Sequence, residues 1–212
     1  IRGCRFCQAG VICRPVREKT PDVLNRQAKC LFENTGYDEM SLISLSISDY
    51  TRLFELTDKL LEWTDENKVS ISLPSLRVDS FTKELMDKIS TVRTGGLTFA
   101  PEAGTQRLRD AINKNVEESD LMRACSVAFA AGKNQVKLYF MDGLPTETYD
   151  DIKGISDLAK QVVEQYYNTP GHAKRPPQVT ISVSCFIPKP FTPFQWEAQD
   201  TLEELEKKAM FL

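Results

Sequence analysis

Apolar residues recur along this chain with two periods, one typical of β-strands and one typical of α-helices. Strand-like apolar segments occupy 41–47, 69–73, 97–100, 136–141 and 179–185. Apolar positions at helical spacing fill 20–36, 51–66, 82–91, 105–113, 117–131 and 149–167, and a closing helix begins at Asp200 as its cap. Strands that alternate with helices are joined by right-handed crossovers into a parallel sheet. The pattern therefore predicts one α/β domain, with an open doubly wound sheet or a barrel.

Turn-forming residues mark where several of these elements begin and end. Thr20 followed by Pro21 is typical of the first turn of a helix, while Gly36 and Gly132 predict helix ends. In parallel α/β folds, ligands bind at the carboxyl ends of the strands. The loops that follow the strands are therefore where functional residues are expected.

The composition limits the choice of partners and location. The 212 residues are 41% hydrophobic and carry a net charge of -3, so no global basic field favours nucleic acid as a partner. No apolar run approaches the roughly 20 residues of a membrane span, and the first residues lack the pattern of a signal peptide. The sequence predicts a cytoplasmic protein without a membrane partner.

The six cysteines are few for a disulfide scaffold of this length, and thiols in an unexported protein stay reduced. Cys30 and Cys125 occupy apolar positions of helical patterns, and Cys185 ends a strand. We expect these three to be small buried hydrophobic residues. The remaining cysteines, Cys4, Cys7 and Cys13, cluster near the start of the chain.

A C-x-x-C motif, formed by Cys4 and Cys7, lies in a glycine-containing loop outside any predicted helix. Such a pair can bind zinc, form a redox dithiol or hold two corners of an iron-sulfur cluster. A structural zinc site needs a second pair of ligands, which is missing here. The single histidine, His172, lies in a distant linker and is expected to be solvated. A thioredoxin-like dithiol is typically at a helix start, whereas Arg14 and Pro15 continue this loop. These residues alone leave the three uses open.

The segment 3–7, G-C-R-F-C, resembles the last part of the radical S-adenosylmethionine (radical SAM) signature C-x-x-x-C-x-aromatic-C. The resemblance implies that Cys4 and Cys7 ligate a 4Fe-4S cluster whose open iron binds S-adenosylmethionine, with Phe6 beside the adenine. It also implies a third cysteine immediately before the chain. The family spacing argues against Cys13 as a substitute ligand, because Cys13 lies too far from Cys7.

Two loops after the early strands resemble other cofactor-binding segments of this superfamily. Ser48 and Asp49 stand where the family has G-G-E, which binds the methionyl amino group, although the letters differ. The resemblance assigns them to that contact, while Ser48 is equally typical of a polar loop that caps the next helix. Arg77 is a candidate partner for a substrate or methionyl carboxylate, and a surface ion pair with Asp79 is an equal alternative.

The later loops carry the more specific motifs. Segment 102–105, E-A-G-T, is similar to an E-x-G-[ST] motif, and the resemblance implies that Glu102 accepts hydrogen bonds from ribose hydroxyls. An acidic residue at the start of a helix is also stabilised by the helix dipole, which is the alternative explanation. Segment 143–148, G-L-P-T-E-T, resembles a G-L-P-x-E-T turn, in which Gly143 allows close approach of the backbone to a ligand. Segment 188–194 resembles the proline-rich end of the same core.

Together the motifs resemble most an uncharacterised subgroup of radical SAM proteins, related to methylthiotransferases and to members with cobalamin-binding domains. The resemblance implies a partial (β/α)6 TIM-like barrel, with 1–212 as a radical SAM core that lacks its first strand, its first cluster cysteine and its flanking domains. Its chemistry would be reductive cleavage of S-adenosylmethionine to a 5'-deoxyadenosyl radical that acts on an unknown substrate.

The same resemblance implies an electron donor such as flavodoxin or ferredoxin, and a cobalamin cofactor held by a missing domain. We expect this stretch of chain to be inactive alone, because one cluster ligand is absent. The alternative from another class is a non-catalytic barrel or a zinc-binding scaffold.

Overall fold

The computed structural model describes residues 3–72 and 97–212. Its five strands are β1 (Glu39–Ser41), β2 (Ser70–Ser72), β3 (Leu97–Glu102), β4 (Gln135–Asp142) and β5 (Gln178–Cys185). Its helices are α1 (Ala9–Ile12), α2 (Pro21–Thr35), α3 (Leu53–Asn67), α4 (Gln106–Ala111), α5 (Glu118–Ala130), α6 (Tyr149–Asn168) and α7 (Leu202–Phe211), and Ile47–Asp49 form a 3-10 turn. Strands and helices alternate as the hydrophobic pattern predicts.

The first sheet is a short parallel pair covered by two helices. Strands β1 and β2 pair with Met40 opposite Ile71, and α2 packs against α3 over them. Ala28 and Leu60 are buried in this layer. The indole Nε1 of Trp63 donates a 2.8 Å hydrogen bond to Asn25 and ties the two helices together.

The second sheet has three parallel strands in the order β3-β4-β5. One face of it packs against α5 and α6, where Phe99, Phe129, Leu138 and Tyr166 belong to the largest hydrophobic core among the described residues. The rings of Phe129 and Tyr166 meet edge to face, with centroids 4.9 Å apart. The α/β class with parallel strands is therefore confirmed, and no strand pairing among the described residues closes a barrel.

Local signals predict element ends well where the residue itself forms the cap. Thr20 accepts a hydrogen bond from the N–H of Val23 at the start of α2, and Gly36 ends that helix with a φ of 71°. The closing helix α7 is different, because Thr201, not the predicted Asp200, caps it by accepting from the N–H of Glu204. Asp200 instead accepts a hydrogen bond from Lys208 of the same helix.

The predicted strand 41–47 is largely wrong. Strand β1 ends at Ser41, and the apolar run that follows is mostly solvent-exposed, with Ile43 88% and Leu45 68% exposed. The chain turns after Ser41 so that Ile47 is buried against Leu53. The predicted helix 82–91 and the end of the predicted strand 69–73 lie outside the described residues.

The expectations for isolated cysteines hold in one case of three. Cys125 is buried in α5, and this burial raises the pKa of its thiol to about 12. Cys30 and Cys185 are exposed, because α2 and the edge strand β5 turn these positions away from the core. His172 is half-buried beside Tyr166, with ring centroids 4.6 Å apart, so the prediction of a solvated histidine is also wrong.

Candidate functional site

The two cysteines of the C-x-x-C motif lie in one tight turn. The N–H of Cys7 donates a 3.2 Å hydrogen bond to the carbonyl of Cys4, and Gly3 enters the turn with a φ of 84° that only glycine adopts without strain. Both thiols are half-buried and neither forms a disulfide. The turn therefore places both cysteines in one short loop at a partly accessible position.

Main-chain hydrogen bonds fix this loop between two distant segments of the chain. The N–H of Arg5 donates 3.0 Å to the carbonyl of Ile112, and the carbonyl of Arg5 accepts 3.3 Å from the N–H of Phe194. The side-chain amide of Asn113 donates 2.8 Å to the carbonyl of Gly3. The cysteine loop therefore lies beside the segment that follows α4 and beside the proline-rich loop that follows β5.

Phe6 anchors the cysteine loop in a small apolar cluster. The ring packs against buried residues that follow β3, β4 and β5, which are Ala103, Leu108, Ile112, Leu144, Phe186 and Phe194. Residues from three strand ends therefore meet at the cysteine loop. This arrangement agrees with the rule that the carboxyl ends of parallel strands share one edge.

Glu102 ends β3 in an unusual backbone conformation. Its φ is 71°, in the left-handed region that disfavours side chains, and the pairing of β3 with β4 shifts register between Phe99 and Glu102. The carboxylate accepts a 3.0 Å hydrogen bond from the ammonium of Lys114, and the two side chains are only 17% and 13% exposed. The irregular strand end thus carries a mostly buried ion pair at the carboxyl end of β3.

The loop after Glu102 packs backbone to backbone against α6. A Cβ added at Gly104 would lie 2.6 Å from the carbonyl carbon of Gly154 and closer still to two other backbone atoms of α6. This contact explains the glycine of the E-x-G-[ST] motif by packing. The motif therefore has a structural component in addition to the role that the resemblance implies for Glu102.

Asp151, which the sequence reasoning missed, connects this loop to α6. Its carboxylate accepts hydrogen bonds from Thr105, Arg107 and Thr148, the last through both N–H and hydroxyl at 2.8 Å. Burial alone raises the pKa of Asp151, but these donors outweigh burial and hold the pKa below its ordinary value. The capping box of Thr148 and Asp151 is the sequence signal that could have identified it.

Arg109 supports the same loop from within and was also missed. Its guanidinium is buried and donates to the carbonyls of Ala103 and Gly104 at 3.0 and 3.3 Å, and to the side chain of Gln106 at 3.1 Å. Burial lowers the pKa of Arg109 from its ordinary value. The guanidinium thus fixes the backbone that immediately follows Glu102.

The turn after β4 is closed by a buried ionic cluster. Gly143 has a φ of 73°, and its N–H donates 2.7 Å to Glu147. Lys208 of α7 donates to Glu147 at 2.8 Å and to Asp200 at 2.6 Å. Burial lowers the pKa of Lys208, but the two carboxylates outweigh burial and raise the pKa above its ordinary value. A Cβ added at Gly143 would lie 3.1 Å from Oδ2 of Asp200. The group that closely approaches this glycine in the structure is therefore the side chain of Asp200.

Ser48 and Asp49 lie in the 3-10 turn after β1. The turn is tied to the chain that leaves the cysteine loop, since Tyr50 donates 2.8 Å to the carbonyl of Lys19 and Thr51 donates 2.6 Å to Glu18. Arg77 lies outside the described residues. The contacts assigned to these three residues stay predictions.

Cys4 and Cys7 supply part of the ligand set that an iron-sulfur cluster needs. Within 3–72 and 97–212, no three His, Cys, Asp or Glu side chains form a group that could hold a metal ion. Cys4 and Cys7 supply two thiolates from one turn. Two thiolates fit as part of a three-cysteine cluster site, and they fall short of the four ligands of structural zinc.

The family model for the radical SAM superfamily matches residues 1–159, which include the cysteine loop, β1 to β4 and the first half of α6. The chain belongs to the radical SAM superfamily. Membership confirms the resemblance to the superfamily and the prediction of an enzyme. It also implies, for the superfamily in general, a 4Fe-4S cluster and S-adenosylmethionine.

A curated relative and two solved structures resemble this radical SAM domain. The chain is 39% identical over 199 residues to the uncharacterized protein MJ0966 of Methanocaldococcus jannaschii, and the match covers 94% of the chain and 41% of that protein. The chain therefore spans less than half the length of this relative.

The two solved structures share the fold of this chain, and the first is described as a radical SAM enzyme. One is coproporphyrinogen III oxidase (HemN) from Escherichia coli, with a TM-score of 0.55 at 14% identity over 99% of this chain and 49% of that one. The other is Elp3 of Methanocaldococcus infernus, with a TM-score of 0.50 at 11% identity over 89% of this chain and 45% of that one. The likeness supports the partial-barrel fold class.

None of the helices described for this chain has the length and apolar character of a membrane span.

Proposed function

We propose that this domain holds a 4Fe-4S cluster and S-adenosylmethionine and cleaves the latter reductively for radical chemistry on a substrate. The observation that carries the proposal is the position of the cysteine turn, which Arg5 ties through its main chain to the segments after α4 and β5. When bound, the two groups supply a 5'-deoxyadenosyl radical, formed together with methionine by one-electron reduction of the sulfonium. The chain's own residues bind, orient and enclose these groups.

Cys4 and Cys7 are proposed as two of the three cluster ligands. The turn that joins them is fixed at both of its sides, so the thiolates need little reorganisation to bind iron. The third thiolate is proposed to come from a cysteine directly upstream in the full-length protein, along with the first strand of the core. The greater length of the Methanocaldococcus jannaschii relative supports a longer protein.

Glu102 is proposed to accept hydrogen bonds from the ribose hydroxyls of the cofactor. A carboxylate has about four acceptor positions, so the 3.0 Å bond from Lys114 leaves room for further donors. Lys114 also restrains the carboxylate in one orientation, while Arg109 fixes the backbone behind it. Both restraints reduce the entropy that would otherwise be lost when a ligand binds.

The other cofactor contacts carry over from the resemblance. Phe6 is proposed to border the adenine with the part of its ring that the apolar cluster leaves open, and Ser48 and Asp49 to accept from the methionyl ammonium. Gly143 would present its backbone near the cofactor. Electron delivery by flavodoxin or ferredoxin is part of the same proposal. So is a cobalamin-binding domain outside this chain. Its test is the absorbance of the purified full-length protein, in which bound corrinoid is the expected result and its absence after reconstitution with cobalamin would contradict the proposal.

The test of the cluster ligands is the iron and sulfide content of the full-length protein after anaerobic reconstitution. We expect Cys4→Ser and Cys7→Ser to lose most of the iron. Cys30→Ser is the matched control, because Cys30 is an exposed thiol on α2 and should retain wild-type iron. Cys13→Ser tests the register of the motif and should also retain it.

Two results would contradict the assignment. Loss of iron in Cys13→Ser with full retention in Cys4→Ser would shift the cluster away from the proposed turn. Colourless wild-type protein with stoichiometric zinc and no iron would favour the zinc-binding scaffold instead.

A further inference from the structure

The second sheet has a polar face opposite its helices, and none of the functions above uses it. Along β4, Leu138 and Phe140 are buried in the helix-side core, while the intervening Lys137 and Tyr139 are not. Successive side chains of a strand point to opposite faces. Lys137 and Tyr139 therefore share the face that points away from α5 and α6.

Hydroxyl side chains of β5 continue this polar face. The register pairs Thr180 with Lys137 and Ser182 with Tyr139, and paired residues of neighbouring strands lie on the same face. Thr98 of β3 pairs with Lys137 from the other side. Parallel strands are normally apolar on both faces because both are covered. A lysine flanked by hydroxyls at the centre of such a sheet is therefore unexpected for packing alone.

Lys137 carries a charge that no carboxylate of the described residues balances. Its ammonium lies 4.7 Å from the ring centroid of Tyr139, which is a cation–π contact. Tyr139 is itself 39% exposed, so its ring is accessible to solvent on the face that points away from α5 and α6. An ammonium with hydroxyl donors beside it and an accessible aromatic ring is suited to an anion joined to an apolar body.

The polar face leads to the edge where the candidate cofactor residues lie. Tyr139 and Lys137 precede the end of β4, at Asp142, by three and five residues, which is about 10 and 16 Å at roughly 3.3 Å per residue. Glu102 and the cysteine loop lie at that edge. A molecule with its anion at Lys137 could therefore extend its other end towards the cofactor.

We propose that this face binds the substrate through an anionic group, a carboxylate or a phosphate, held by Lys137 with Thr180 and Ser182. Tyr139 packs against the adjoining part of the substrate. The inference rests on the proposed function, because the substrate is that of the radical reaction.

The activity test uses the reconstituted full-length protein and small-molecule extract of its source cells, separated on an anion exchanger. The readout is 5'-deoxyadenosine formed above the rate without extract. We expect stimulation by the retained fraction only, and a loss of about 10- to 100-fold in apparent affinity for Lys137→Met, as for removal of one charge-assisted bond. Lys137→Arg should keep much of the response.

The matched control is Lys160→Met, because Lys160 is 72% exposed on the surface of α6, and its response should equal that of the wild type. Loss of stimulation after phosphatase treatment of the extract would identify phosphate, and survival of the stimulation would identify carboxylate. Stimulation by the unretained fraction, or equal responses of Lys137→Met and Lys160→Met, would overturn the inference. A wild type that forms no 5'-deoxyadenosine at all contradicts the proposed function instead.

A second measurement tests the site without turnover. Pyridoxal 5'-phosphate is an aromatic anion that labels lysine after borohydride reduction, and peptide mapping gives the labelled fraction at each lysine. We expect Lys137 to be labelled more than Lys160 despite its lower exposure, and excess phosphate or citrate to reduce its labelling severalfold. Labelling of Lys137 that does not exceed that of Lys160, or that neither anion reduces, would overturn the proposal.

Discussion

Replacement of Gly104 by alanine should destabilise the domain more than any other exchange of a described glycine for alanine. The added Cβ would lie 2.6 Å from the carbonyl carbon of Gly154 and closer still to the carbonyl oxygen of Asp151 and the amide nitrogen of Ile155. All three atoms belong to the backbone of α6, so no side-chain rotation can relieve the overlap. Either α6 or the loop after Glu102 must move.

The size of the effect follows from this rigidity. Overpacking of a close-packed contact costs about 1 to 3 kcal/mol, and the upper end applies here because only backbone can yield. For a domain of this length the melting temperature falls about 2 to 4 °C per kcal/mol, so Gly104→Ala should melt about 6 to 12 °C lower.

The assay is thermal unfolding of the cluster-free protein, followed by circular dichroism. Gly132→Ala is the control, because a Cβ there meets nothing within 4 Å and only the φ of 80° is unfavourable. Its expected cost is about 1 to 2 kcal/mol. A melting temperature of Gly104→Ala equal to or above that of Gly132→Ala would refute the packing explanation for the glycine of the motif.

Two buried ionic clusters give further predictions. Asp151→Asn should lower the free energy of unfolding by about 2 to 4 kcal/mol at pH 7. Folding lowers the pKa of Asp151. The difference in free energy of unfolding between the wild type and Asp151→Asn should therefore be largest above about pH 5 and shrink as the pH falls through the folded pKa. A difference that grows towards low pH would contradict this. Lys208→Met should cost about 3 to 5 kcal/mol at neutral pH, because Glu147 and Asp200 lose their cation. Unchanged denaturant unfolding would show that the cluster is not stabilising.

Local chemistry explains which parts of the fold were predictable from the sequence. Thr20 and Gly36 act through their own side chain and backbone, so the bounds of α2 follow directly from the letters. The prediction of a strand over 41–47 was wrong, because apolar residues are buried only where another surface packs against them. At Ile43 and Leu45 the described part of the chain offers none.

The candidate site was predictable in its motifs and not in its supports. The cysteine turn and Glu102 belong to short motifs with a known order along the chain. Lys114 and Asp151 were missed because their partners depend on how strand ends and helices meet, and Asp151 lies 46 residues from Thr105. Such contacts follow from tertiary packing, which no short pattern encodes. Lys137 became notable only when the register showed which face of the sheet it shares.

The central claim is tested most directly by reductive cleavage of S-adenosylmethionine in the full-length protein. The measurement is 5'-deoxyadenosine and methionine formed under strict anaerobiosis with dithionite, read by mass spectrometry beside the iron content. We predict equal amounts of the two products from the wild type, and none from Cys4→Ala or Cys7→Ala. A wild-type protein that holds a complete cluster and binds S-adenosylmethionine but forms neither product would contradict the account.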